Sequence, residues 1–104
     1  MTTIIVLFNL KDGVSDADYE AWAKGTDLPT VRGLTSVSAF DVYRSTGLLG
    51  SDAPPPYRYV EIIHVSDMDT FGAEVGGDVM QTVAAEFQAV ADNPTFILSQ
   101  SIEE

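Results

Sequence analysis

The chain contains no cysteine, a single histidine and only five lysines and arginines. Without cysteine there is no disulfide framework, no thiol nucleophile and no thiolate metal site, and one histidine is too few for most zinc sites. No metal or metal enzyme is expected, although a carboxylate site for magnesium stays open. The shortage of basic groups against sixteen acidic ones leaves a net charge of −11, which repels phosphate backbones and anionic headgroups. Neither nucleic acid nor a membrane surface is an expected partner. No apolar run approaches the roughly 20 residues that span a bilayer. Met1 to Leu10 also lacks the basic start and long apolar region of a signal peptide, so a cytoplasmic protein is expected.

What is present is a chain of 104 residues with 45 % apolar content, enough for one core and too little for two. One domain over residues 1–104 is expected, fraying at the last two glutamates. Tyr57 to Val65 is a run of β-branched and aromatic residues with apolar groups on both alternating faces. Tyr57, Tyr59, Glu61, Ile63 and Val65 share one side, and Arg58, Val60, Ile62 and His64 the other. Thr3 to Leu10 is a second strand of this kind, with Ile4, Val6 and Phe8 opposite Ile5, Leu7 and Asn9. Strands apolar on both faces are usually interior and covered twice. Which face meets the helices stays open, because both sets are apolar enough.

Between these strands, Lys11-Asp12-Gly13 turns the chain and Ser15 can cap a helix with Asp16 and Asp18 in its first turn. Tyr19, Trp22 and Ala23 form its inward stripe, and the helix is expected to end before Pro29, which starts a short turn closed by Gly33. Leu34 to Ser45 alternates loosely, as an edge strand would. Thr46 to Pro56, with two glycines and three consecutive prolines, reads as a loop. Ser66 can cap a helix that Gly76-Gly77 interrupts and Asp78 restarts. A stripe of Met80, Val83, Ala84, Phe87, Val90 and Ala91 then runs to a stop at Asn93-Pro94. Thr95 to Ile102 is the last strand.

The order is β-α-β-β-α-β, a ferredoxin-like α+β arrangement with both helices on one face of a four-stranded antiparallel sheet. The first and third strands are then central, in keeping with their two-sided apolarity. Helices cover only one face, and the other exposes more apolar surface than a soluble monomer usually carries. This predicts a homodimer whose two sheets pack face to face as an α/β barrel.

The same order, with Tyr-Glu-Ala-Trp-Ala at 19–23 and Asp-Leu-Pro-Thr-Val-Arg-Gly-Leu at 27–34, resembles the dimeric α/β-barrel superfamily. Ser-Ala-Phe-Asp-Val-Tyr-Arg at 38–44 and Tyr-Val-Glu-Ile-Ile-His-Val at 59–65 make it similar, more narrowly, to the REDY-like, HapK-type branch. The resemblance implies a dimer without cofactor in bacterial secondary metabolism of the prodigiosin type. It would act on, or hold, a reactive pyrrole, indole or similar aromatic intermediate. Related barrel families often carry His-x-Pro where this chain has Asp27-Leu28-Pro29, so a mechanism that needs that histidine does not carry over.

Three ionisable residues are candidate catalytic groups. His64 has a side chain suited to acid–base work, or is a hydrogen-bonded structural histidine. Glu61, a carboxylate in a two-sided strand, must line a wet cavity or be paired, with Arg44 on the adjacent strand as the expected partner. Asp27 faces a cleft as acid or base, or caps the turn at Pro29 through Arg32. Tyr19 and Trp22 could stack on an aromatic ligand or fill the core, and Tyr59 shares the face of Glu61. Tyr43 and Arg44 point to opposite faces, so at most one reaches a given pocket. Two functions follow. One is a cofactor-independent cyclase, dehydratase or isomerase working by proton transfer, and the other a non-catalytic carrier or chaperone that shields the same heteroaromatic intermediate. An oxygenase without cofactor is a third.

Overall fold

The computed structural model describes residues 1–103, so Glu104 and the fraying expected of it lie outside the described residues. The elements run β1 (Thr2–Leu10), α1 (Asp16–Trp22), a π-helical segment (Ala23–Asp27), α2 (Leu28–Arg32), β2 (Val37–Arg44), β3 (Tyr59–Val65), α3 (Met68–Val75), α4 (Asp78–Val90) and β4 (Ala91–Ser99). The strands form one antiparallel sheet in the order β2-β3-β1-β4. This is the α+β ferredoxin-like fold read from the sequence, with β1 and β3 central and β2 at an edge.

Alternation decides which side chains meet the helices. Ile4, Val6 and Phe8 of β1 are opposite Ile63, Glu61 and Tyr59 of β3, and all six are buried. Phe8 is the hub: its ring lies 5.0 Å from Phe87 and 5.5 Å from Tyr19, edge to face, and 5.6 Å from Tyr59, stacked. Each such pair adds about 0.5–1.5 kcal/mol to the burial of the rings themselves.

The first helix does not stop before Pro29. It widens into the π segment, in which the Leu28 N–H reaches the Ala23 carbonyl, and resumes as α2 with Pro29 in its first turn, where a missing N–H costs little. The reason lies in the spacing of the inward residues. Tyr19, Ala23, Asp27 and Val31 are all buried, four residues apart. In a regular α-helix that spacing drifts about 40° per step, and one wide turn takes up the drift. Tertiary packing thus overrides the local preference of a residue before proline.

Other boundaries shift for identifiable reasons. The cap of α3 is Asp67, whose carboxylate accepts the Asp69 N–H, while the Ser66 hydroxyl donates to the Ser36 carbonyl. Helix α4 ends at Val90 and Ala91 already belongs to β4, so Asn93-Pro94 is no helix stop. Asn93 takes a left-handed φ of 50°, and the β1–β4 register shifts between Leu7 and Asn9, placing a bulge on an edge strand, where proline is tolerated. That strand ends at Ser99 rather than Ile102, β2 begins at Val37 rather than Leu34, and β3 begins at Tyr59 rather than Tyr57. A register shift between Val37 and Ala39 puts Val37 on the face of Phe40 and Val42.

Among the described residues no helix covers the second face of the sheet. That face presents Ile5, Leu7, Val60 and Ile62, partly exposed, with Tyr43 and Ile97 more open at 54 % and 41 %. Among the described residues no helix is long and apolar enough to cross a membrane.

Candidate functional site

Between the helices and the covered face of the sheet lies a cavity of about 150 Å³. That volume holds a benzene-sized ring, and because the cavity is open to solvent on one side a second ring can extend out of it. The sheet supplies Phe40, Glu61, Ile63 and Phe96. The helical layer supplies Asp27 from the π segment, Val31 from α2, Phe71 from α3, and Met80, Val83, Phe87 and Gln88 from α4. The walls are therefore aromatic and aliphatic, with two carboxyl groups and one amide set among them.

Each carboxyl is there for a local reason. Glu61 follows strictly from strand parity, since it lies between Tyr59 and Ile63 on the covered side of β3 and is only 5 % exposed. The Tyr19 hydroxyl donates to Glu61 Oε2 at 3.1 Å. Asp27, also 5 % exposed, is turned inward by the π segment. It does not cap α2, and Arg32 instead donates to the Phe40 carbonyl at 2.9 Å and to Asp41 at 3.3 Å. Among the described residues no side chain donates to the Asp27 carboxylate, which borders the cavity without a protein partner.

Burial governs the ionisation of this pair. It pushes the Glu61 carboxyl up to about 8, with the neighbouring Asp27 charge adding to the rise and the Tyr19 hydrogen bond opposing it. Burial alone pushes Asp27 up to about 6. Asp27 therefore ionises first, while Glu61 is still neutral, and Glu61 then has to ionise against that charge. Between these values the cavity holds one negative charge and one protonated carboxyl. The Tyr19 hydroxyl is pushed well above its ordinary value by burial and by Glu61.

Arg44 does not meet Glu61. It pairs with Glu20 of α1 at 2.6 Å, on the outer margin of the covered face, because α1 crosses the sheet close to the ends of β2 and β3. In the same cluster Arg58 grips Asp16 through two nitrogens, at 2.6 and 3.2 Å. The buried Tyr59 hydroxyl stands 2.7 Å from both Asp16 and Glu20 and donates its one proton to either. The Arg58 hydrogen bond, then that of Tyr59, holds Asp16 down to about 2, and hydrogen bonds from Tyr59 and Arg44 lower Glu20.

The remaining candidates are dispersed. His64 lies on the helix-free face, its Nδ1 3.0 Å from the Thr3 hydroxyl, with the sheet between it and Glu61. Tyr43 is on that face too. Trp22 stacks on Phe87 at 6.4 Å and donates to Glu86 at 3.0 Å outside the cavity lining. One cavity thus gathers Asp27 and Glu61, with Tyr19 directly behind. His64, Tyr43, Arg44, Trp22 and Tyr59 are elsewhere. Phe40, Phe71, Gln88 and Phe96 line the cavity without having been singled out from the sequence. The stripe on α4 marked its face as buried, but nothing in a stripe separates a wall from a solid core. Among the described residues no three metal-binding side chains come together.

The sequence matches the family described as REDY-like protein HapK over residues 2–102. The crystal structure of HapK from Hahella chejuensis superposes with a TM-score of 0.80 at 29 % identity, over 100 % of this chain and 95 % of that one. A dimeric ferredoxin-like protein of unknown function from Thermobifida fusca has a TM-score of 0.76 at 15 % identity, over 96 % of this chain and 90 % of its own. SnoaB from Streptomyces nogalater, a cofactor-independent oxygenase, has a TM-score of 0.76 at 16 % identity, over 97 % and 92 %. These last two likenesses speak to the fold alone. A comparison with curated proteins finds no match. By the match that spans nearly its whole length, the chain belongs to the REDY-like protein HapK family.

Proposed function

We propose that the protein is a homodimeric, cofactor-independent enzyme of bacterial secondary metabolism. It moves protons on a small pyrrole, indole or related heteroaromatic intermediate of the prodigiosin type, in a cyclisation, dehydration or isomerisation. The observation that carries this reading is a largely buried carboxylate, Asp27, that takes no hydrogen bond from a described side chain and shares an apolar cavity with a second carboxyl, Glu61, whose ionisation is displaced the other side of neutrality. Two titratable groups pushed apart in this way suit a base and an acid working together. Asp27 takes a proton from the ligand. The Tyr19 hydroxyl occupies Glu61 Oε2, which leaves the Glu61 proton on Oε1 for delivery to a ring carbon or to a departing hydroxyl, released as water. Protons balance over the cycle once Glu61 is reprotonated and Asp27 deprotonated by solvent. His64 is assigned no part in this chemistry.

The helix-free face is where the second copy packs, through Ile5, Val60 and Ile62, and its partly exposed apolar side chains support that reading. Sedimentation at micromolar concentration is expected to give a two-chain mass that Ile62→Asp reduces to one. A one-chain mass for the unaltered protein removes the barrel.

Deuterium uptake at the ring carbons of pyrrole and indole in heavy water, followed by proton NMR, tests the chemistry without the natural substrate. The protein is expected to accelerate uptake, and Asp27→Asn and Glu61→Gln to lose about 100-fold while still binding the ring. Uptake that is unchanged in both variants, with binding intact, leaves a carrier or chaperone and ends the enzyme reading.

A further inference from the structure

We infer that the cavity selects a cationic ligand: a single- or double-ring heteroaromatic or amine carrying one positive charge on nitrogen, with Asp27 as its counter-ion and Glu61 as a hydrogen-bonding neighbour. The inference rests on the reading of this cavity as the site, and adds the charge of what it binds. Its first basis is composition. The titratable side chains that line the cavity are Asp27 from the π segment and Glu61 from β3, and the Tyr19 hydroxyl of α1 stands behind Glu61. The contributions of α2, α3, α4, β2 and β4 are apolar or, in Gln88, neutral. Among the described residues no lysine, arginine or histidine lines it.

The second basis is what the nearby cations are doing. Arg44 and Arg58 are engaged by Glu20 and Asp16 at 2.6 Å each, and Arg32 by Asp41 at 3.3 Å. His64 is across the sheet. The Asp27 oxygens open onto the cavity, where solvent or a ligand can hydrogen-bond them, and no described side chain takes that place. A ring nitrogen bearing a proton, or a ring made cationic by protonation at carbon, supplies charge, donor and apolar body together. Flat cations also gain from aromatic walls such as Phe40, Phe87 and Phe96. An anionic ligand would face two carboxyl groups without a counter-charge.

Three probes of one shape decide the matter: benzylammonium, benzyl alcohol and benzoate, titrated by calorimetry at pH 7.5 into the intact protein. Benzylammonium is expected to bind at least about tenfold tighter than benzyl alcohol, the usual scale of one charge-assisted hydrogen bond, with benzoate weakest. The preference is expected to vanish in Asp27→Asn, to persist in Glu61→Gln, and to fade as pH falls through about 6. Equal or tighter binding of the alcohol or of benzoate overturns the inference, as does an ammonium preference that survives in Asp27→Asn. Should Asp27→Asn not fold, a preference that does not weaken between pH 7.5 and pH 5 overturns it equally. Deuterium uptake on indole without ammonium preference breaks this inference alone. Ammonium preference without uptake breaks the proton-transfer reading alone.

Discussion

Two pairs of carboxyl groups lie on the same covered face of the sheet and behave in opposite ways. Asp16 and Glu20 sit at its margin, take hydrogen bonds from Arg58, Arg44 and Tyr59, and ionise more readily than ordinary carboxylates. Asp27 and Glu61 sit inside, with a tyrosine hydroxyl donating to Glu61 and no protein donor to Asp27 among the described residues, and ionise less readily. The residue types are the same. What differs is burial and the supply of donors, and that contrast separates a structural clasp from a candidate reaction site.

The contrast breaks most visibly in catalysis. Glu20→Gln, at the margin, is expected to leave deuterium uptake by indole unchanged, while Asp27→Asn loses about 100-fold in the same assay. A loss of similar size in Glu20→Gln would erase the distinction. The pH profile of uptake sharpens it: rate is expected to rise as Asp27 ionises through about 6 and to fall as Glu61 ionises through about 8, giving a bell between them.

Stability against pH supplies a smaller effect of opposite sign for the two pairs. The folded value of Glu61 is raised above its ordinary 4.5, so the stability tied to its protonated form is fully present below about 4.5 and lost as pH rises through about 8. The loss is on the order of a few kcal/mol. Glu61→Gln should therefore gain on the unaltered protein between pH 5 and pH 9, as read by urea midpoints. Asp16 has a lowered folded value, so its contribution is present above the ordinary 3.8 and lost as pH falls through about 2. Asp16→Asn should lose its deficit only under strong acid.

The smallest effect concerns the hydrogen bond within the inner pair. Tyr19→Phe removes the donor to Glu61 Oε2, which is expected to cost about 1 kcal/mol and to move the alkaline limb of the rate profile to higher pH, since that bond lowers Glu61. An unmoved limb would mean that Tyr19 does not act on Glu61.

Much of the fold was legible because two strands are apolar on both faces. β1 and β3 had to be central, and a carboxylate in β3 at Glu61 had to be exceptional. Strand parity also sets Glu61 and His64 on opposite faces, so only one of them could border a given cavity, and the alternation alone does not say which. Less was legible where the chain departs from its period. The π segment that turns Asp27 inward answers to four buried residues at a spacing of four, visible only once the sheet they face is known. The bulges near Ser38 and Asn93 likewise depend on the neighbouring strand. The partner of Arg44 was misassigned because adjacent strands suggest Glu61, whereas α1 brings Glu20 closer.

The most direct measurement is a carbon-13 NMR titration of the side-chain carboxyls of Asp27 and Glu61 in the free protein. The account predicts Asp27 titrating near 6 and Glu61 near 8, leaving the cavity singly charged at neutrality. If both carboxyls titrate with the exposed acids, below about 5, the cavity carries two like charges at neutrality and the division into a base and an acid does not follow.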